Sequence, residues 1–417
     1  MNEKSDQQKP YSHIRVLDMS RVLAGPWAGQ VMADLGADVI KVERPITGDD
    51  TRHWGPPFLK DKDGRTTAEA AYYMCANRGK QSITVDISKP DGQALIRALA
   101  AKCDVLLENY KVGDLARYGL GYEDIKAVNP DLIYCSVTGF GQTGPSRHLT
   151  GYDFMIQAMG GLMSLTGHGD AEPGGGPMKV GVPVADLVTG LYTAIAIQAA
   201  LARRERTGGG GGGEWIDMAL LDCQVAMLAN QGQNYLSGDG SLTPRMGNAH
   251  PNVAPYEVVQ TQDGHMVLTV GTDYQFRKFC AAVNRPELAS DARFLTNPDR
   301  VTNRRDLSAI VGEIMTAKPT AQWLDLFGEV GVACGPINTL RDVYRHPQVI
   351  DREMVFEMDH SIGGKVPLTA NPIHFREHPI SYEVPPPLLG QHTRAILGEV
   401  LGLDSAEIDR LAGEGTI

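Results

Sequence analysis

Three places in the chain carry residue types and spacings that could do chemistry. The first is Asp186, which follows Val180-Gly181-Val182-Pro183-Val184-Ala185 and leads into an apolar helix over Leu187–Arg204. As an N-cap its carboxylate would accept the N–H of the second or third helical residue, worth ~1 kcal/mol. The same position suits a nucleophile, because helix-end N–H groups would keep the carboxylate ionised while the flanking apolar chain strips its hydration. On the residues alone both readings stand. The second place is the turn Ser20-Arg21-Val22-Leu23-Ala24-Gly25-Pro26-Trp27-Ala28-Gly29, with small residues at a helix N-terminus where free N–H groups favour an anion. It is not a GxGxxG dinucleotide fingerprint. The third is a set of cations just past strand-like segments: Lys41 and Arg44, Arg52, Arg78 and Lys80, Lys111 and Arg117. Ligands of open α/β sheets bind at the carboxyl ends of strands, so a converging set there would hold phosphates.

Other chemistries are excluded. Without GxxxxGK[ST] or GxSxG motifs, neither a P-loop phosphotransferase nor a serine hydrolase elbow is supported. The 11 histidines form no HxH pair and the six cysteines no CxxC pair, so no metal site or disulfide framework is indicated and a cytoplasmic, reducing setting fits. A net charge of -11 with no basic run argues against a nucleic-acid surface. Residues 1–12 read as a disordered lead without a signal-peptide core. The apolar stretch Leu187–Ala202 is broken by Thr189, Gly190 and Gln198 and falls short of the ~20 residues of a membrane span.

The elements that must position these residues follow from periodicity. Near-continuous apolar runs at Ile14–Asp18, Val39–Val42, Ser82–Val85, Val105–Leu107 and Leu132–Val137 alternate with helical patterns, one of them N-capped by Ser88 ahead of Pro90. This rhythm predicts a doubly wound α/β parallel sheet covered on both faces, occupying 13–206 as the first part of a large domain. The hexaglycine Gly208–Gly213 reads as a mobile surface turn. Residues 207–240 read as a linker strand and helix. A smaller α+β domain over 241–330 has a hairpin about Asp263-Gly264 and helices from Asp273, Arg304 and Thr320. Residues 331–417 return to the large domain, with a last helix from Thr393.

Several motifs occur together and in order: Arg15-Val16-Leu17-Asp18 with Leu23-Ala24-Gly25-Pro26, Leu35-Gly36-Ala37-Asp38-Val39-Ile40-Lys41-Val42-Glu43, Glu108-Asn109-Tyr110, Ser136-Val137-Thr138-Gly139-Phe140-Gly141, Gly151-Tyr152-Asp153, and Gly181 with Asp186 and Gly190. Through nearly all of its length after residue 12 the chain resembles the class III CoA-transferases, a family that includes the α-methylacyl-CoA racemases. The resemblance implies that Asp186 is the catalytic nucleophile and that Arg44, Val85, Asn109, Tyr110 and Arg117 lie along a CoA site, with the arginines on phosphates and Val85 against the adenine. It implies acyl-CoA and a carboxylic acid as substrates, no prosthetic group, and two ring-like subunits interlocked as a homodimer. Leu23 stands where the formyl-CoA enzymes carry a glutamine near the acyl group. Tyr152 stands where the racemases carry a histidine base, which leaves a racemase one base short. The loop Gly247-Asn248-Ala249-His250-Pro251-Asn252 is similar to that of succinyl-CoA:dicarboxylate enzymes, with Arg245 or His250 available to a distal carboxylate. A CoA-binding protein without catalysis would keep the arginines and have no need of Asp186.

Overall fold

The computed structural model describes residues 9–208 and 212–417, so residues 209–211 of the hexaglycine and 1–8 of the lead lie outside the described residues. The first unit comprises the chain up to Gly160, Gly181–Ala229 and Gln348–Ile417. Its centre is a six-stranded sheet of β1 (Arg15–Asp18), β2 (Asp38–Glu43), β3 (Lys80–Thr84), β4 (Val105–Glu108), β5 (Ile133–Thr138) and β6 (Glu214–Ala219). All pairings are parallel and the order is β3-β2-β1-β4-β5-β6, the doubly wound arrangement expected.

Side chains alternate across this sheet, so each strand feeds two cores. Leu17, Ile40 and Leu106 pack with Leu95, Ile96 and Leu99 of the helix Pro90–Ala100 on one face. Val16, Val39, Val105 and Ile133 face Ala28, Met32, Ala194, Ile197 and Leu201 on the other. The second face is covered by helices Ala24–Asp34 and Val184–Arg206. They approach closely at Gly190, where a methyl group would stand 2.7 Å from the Ala24 carbonyl oxygen. The helix Val184–Arg206 has 23 residues, longer than the apolar stretch read from sequence. That length and composition would suit a membrane span, but half of it is buried against the unit's own core.

Four expectations need correction here. The strand at 214–219 is not a linker but the sixth strand of the sheet, pairing with β5 from Ile133↔Glu214 to Thr138↔Ala219. Ser88 does not cap its helix; its hydroxyl donates to Asp86, and Lys89 occupies the cap position without a side-chain bond. Residues 9–12, read as part of a disordered lead, are tied to the unit: Lys9 pairs with Glu383 at 2.8 Å and the Tyr11 N–H donates to the Leu35 carbonyl. The domain boundaries also shift. The second unit takes in Gly161–Val180 and Asn230–Pro347. It retains the chain past 331 because Cys334–Pro336 adds a strand beside His265–Thr269, which itself forms the expected hairpin with Tyr256–Gln260. It gains 161–180 because the Gly247 N–H donates to Gly167 and Arg245 to the carbonyl of His168. Its core gathers Phe276, Phe279, Phe294, Trp323 and Phe327, and the helices from Asp273, Arg304 and Thr320 form as the sequence indicated.

Candidate active site

In a sheet of this order the crevice opens between β1 and β4, where the chain's winding reverses. The turns leaving these two strands are strapped together there. The Asn109 side chain accepts the Arg21 N–H at 2.8 Å and donates to the Arg21 carbonyl at 2.7 Å. The next residue, Val22, has φ 71°, a left-handed conformation costly for a β-branched side chain. Its N–H donates to both carboxylate oxygens of buried Asp49 at 3.3 Å, which holds the strained turn.

A cleft of about 200 Å³ lies over these turns. Its walls include Arg21 and Leu23 from the first turn, Asn109, Tyr110 and Lys111 from the second, Arg147–Tyr152, and Asp186. Gly139 and Gly151 meet backbone to backbone beneath the Arg147–Tyr152 wall, a Cβ on Gly139 standing 2.5 Å from the Gly151 Cα. That approach places Asp153 at the start of the helix Val184–Arg206. Its carboxylate accepts the Ala185 N–H at 2.8 Å and the Asp186 N–H at 3.3 Å, doing from another element what an N-cap does.

Asp186 is therefore not the N-cap. It is the third residue of the helix, 8% exposed, and its carboxyl receives none of the helix-end N–H bonds expected to keep it ionised. Burial, reinforced by the nearby Asp153 charge, pushes it up to about 7. At neutral pH it is poised between acid and carboxylate, a poorly solvated carboxyl at a cleft wall. The Tyr72 phenol, absent from the sequence reading, is pushed up to about 12 by burial and by the Asp186 carboxylate.

The structure sorts the expected site residues sharply. Leu23, Asn109, Tyr110, Tyr152 and Asp186 share the cleft. Val85 does not offer a face to an adenine ring, being 1% exposed in the core with Leu95 and Ile96. Arg44 and Arg117 are exposed and lie off the cleft wall, 3.8 Å from Asp50 and 2.7 Å from Asp114 respectively. The larger cation set is mostly structural. Lys41 pairs with Asp49 at 2.9 Å, Lys80 with Asp18 at 2.9 Å, Arg52 with Glu43 at 2.8 Å, and Arg78 with Asp34, all buried and unavailable to a phosphate. Lys41 also donates to the Ser20 carbonyl, so this charge lattice supports the strained turn from below. Arg245 and His250 belong to the second unit. There Arg245 pairs with Asp170, and His250 accepts the Asn252 N–H at 3.1 Å beside the Tyr256 ring. Sequence reasoning missed Arg21, Tyr72, Arg147, His148 and Asp153 as site residues. Only the Gly-Tyr-Asp motif offered a signal for the last of them.

Comparison with known proteins matches residues 11–393 to CoA-transferase family III. The chain belongs to this family. A succinate–glutarate CoA-transferase of Agrobacterium fabrum is 47% identical over 400 residues, covering 96% of this chain and 98% of that protein. A succinyl-CoA:glutarate CoA-transferase of Mus musculus is 45% identical, covering 99% of this chain and 91% of that protein. Among solved structures, a CaiB/BaiF family protein from Brucella suis superposes with a TM-score of 0.80 at 47% identity, covering 94% of this chain and 99% of that one. A mutant Mycobacterium tuberculosis protein carrying alanine in place of an aspartate has a TM-score of 0.81 at 28% identity, with 94% and 99% covered. This CoA-transferase is thus an enzyme of class III, with the α/β architecture that its sequence indicated.

Proposed function

We propose that this CoA-transferase moves CoA from succinyl-CoA, or a similar dicarboxyl-CoA, to a free dicarboxylic acid such as glutarate. The observation that carries the reading is Asp186: a buried carboxyl of raised pKa on the wall of the switch-point cleft. The relatives named for succinate and glutarate support the substrate class. The Asp186 carboxylate attacks the thioester carbonyl, expelling CoA thiolate and leaving a mixed anhydride. The thiolate attacks the aspartyl carbonyl, releasing the donor carboxylate and forming an aspartyl-CoA thioester. The acceptor carboxylate then attacks that thioester, and the expelled thiolate takes the acceptor acyl group, restoring Asp186. Each step exchanges one activated acyl bond for another, so the thioester's free energy is kept provided that water stays out. Arg44 and Arg117, exposed outside the cleft wall, serve the CoA phosphates.

We assign the working form as an interlocked homodimer in a reducing cytosol. Exposed Leu191 and Ile195, four residues apart on the helix Val184–Arg206, support association, and six free cysteines support the compartment. Mixing enzyme, succinyl-CoA and glutarate should yield glutaryl-CoA. Hydroxylamine added during turnover should leave a hydroxamate on the Asp186 peptide and inactivate the enzyme. Resistance to hydroxylamine during turnover rejects the aspartyl route.

A further inference from the structure

We propose that Arg21 is the residue that recognises the second carboxylate of the dicarboxylic substrate, and so sets the preference for diacids over monoacids. The inference rests on the dicarboxylate reading above and names the group behind it.

The guanidinium of Arg21 is under-used where it stands. Of its five N–H donors, one makes a marginal 3.5 Å contact with half-exposed Asp50, and Nε is buried with no hydrogen-bond partner. A buried polar atom left unpaired calls for a partner that comes and goes. The group is also held in place. Its carbon lies 5.2 Å from the centre of the Tyr110 ring, and its main chain is pinned on both sides by Asn109. The left-handed Val22 that follows is a backbone outlier of the kind that persists where surrounding structure enforces it for a purpose. Lys111 and Arg147 line the same cleft, but both are exposed and carry no comparable constraint.

The competing claim on Arg21 is a CoA phosphate. Arg21 and Asp186 line one cleft, whereas the whole pantetheine arm separates a CoA thioester from its phosphates, so a guanidinium sharing the cleft with the attacking carboxylate is placed for the acyl end. A planar fork bonding two oxygens suits a carboxylate, and a preformed fork loses little entropy in doing so. Asp50 would give up its weak contact when the substrate arrives.

The test is a one-pot competition. Glutarate and valerate, equal in carbon number and differing in one terminal carboxylate, compete for the same CoA-loaded enzyme with succinyl-CoA as donor. The ratio of glutaryl-CoA to valeryl-CoA then reports acceptor selectivity alone, independent of the donor half-reaction and of the fraction of folded enzyme. Arg21→Gln should lower the ratio by roughly 10- to 100-fold, with Arg21→Lys in between because it keeps the charge and loses the fork. An unchanged ratio in Arg21→Gln, or folded variants that lose turnover with both acids, overturns the assignment. If Arg21→Gln does not fold, an unchanged ratio in Arg21→Lys does the same. A parent enzyme whose own ratio is near one rejects the dicarboxylate reading instead, so the two failures are distinguishable.

Discussion

Replacing Asp186, the proposed nucleophile, should make this protein more stable, and more so as the pH rises. Asp186 has a carboxyl raised from 3.8 to about 7, first by burial and then by the charge of Asp153. The native chain therefore holds a proton between pH 4 and 7 that the unfolded chain releases, and raising the pH through that window removes stability. The full cost of ionising the buried group is about 4 kcal/mol above pH 7. Asp186→Asn keeps the shape and cannot ionise. Its stability relative to the parent should rise by about 2.5 kcal/mol between pH 5 and pH 8, with most of that gain complete by pH 7. Guanidinium unfolding of both proteins at pH 5, 6, 7 and 8, followed by near-UV circular dichroism, measures the difference directly. A stability gap that stays constant across this range, or that shrinks with rising pH, refutes the account of Asp186 as a desolvated carboxyl. Activity should be lost throughout.

Three further outcomes are expected. Asp153→Asn keeps the acceptor for the Ala185 and Asp186 N–H groups and removes the charge, so the acid limb of kcat/KM, near pH 7 in the parent, should move to lower pH; a limb that stays in place assigns the raised value to burial alone. Lys41→Met breaks a fully buried pair with Asp49 and should cost ~3–5 kcal/mol of stability, whereas Arg44→Ala and Arg117→Ala should leave melting unchanged and weaken CoA binding by ~1.5–3 kcal/mol per charged hydrogen bond lost; calorimetry with free CoA reads the contrast, and unaltered affinity in both arginine variants removes them from the CoA site. Gly190→Ala should lower stability by ~1–3 kcal/mol through overpacking against the Ala24 carbonyl, and an unchanged thermal midpoint would show that the two helices can move apart freely.

How much of this was legible in the sequence depends on where the partner of each residue lies. Strands β2 and β5 were plain because a strand covered on both faces writes a continuous apolar run, as Val39–Val42 and Leu132–Val137 do. Asp186 was legible as a residue at a helix start, yet its charge state was not. The Asp153 carboxylate that takes the helix-end N–H groups lies 33 residues away and arrives through the Gly139–Gly151 contact. Lys41 and Lys80 looked like phosphate ligands because a sequence displays a charge without its burial. Asp18, which neutralises Lys80, is 62 residues distant, and only the packed sheet shows that neither lysine reaches the surface. Arg21 was hidden for a converse reason, since nothing in Arg-Val-Leu announces a left-handed valine beside it.

The same cleft thus holds two departures from what local rules favour, a desolvated carboxylate and a left-handed valine, which is where a working site is expected to spend stability. They sit on different elements and share no hydrogen-bond partner: Val22 leans on Asp49, Asp186 on Asp153. Their costs should then be additive. Val22→Gly accepts φ 71° without the steric penalty, and the relief of ~1–3 kcal/mol should outweigh the entropy cost of about 1 kcal/mol that glycine brings. The single variant should be as stable as the parent or more so. It should also lose selectivity for glutarate over valerate, because a relaxed turn no longer fixes Arg21. In the double variant with Asp186→Asn the two stability changes should sum to within about 0.5 kcal/mol. A Val22→Gly protein that is clearly less stable and fully selective would mean that the turn is unstrained and that Arg21 is held by Asn109 alone.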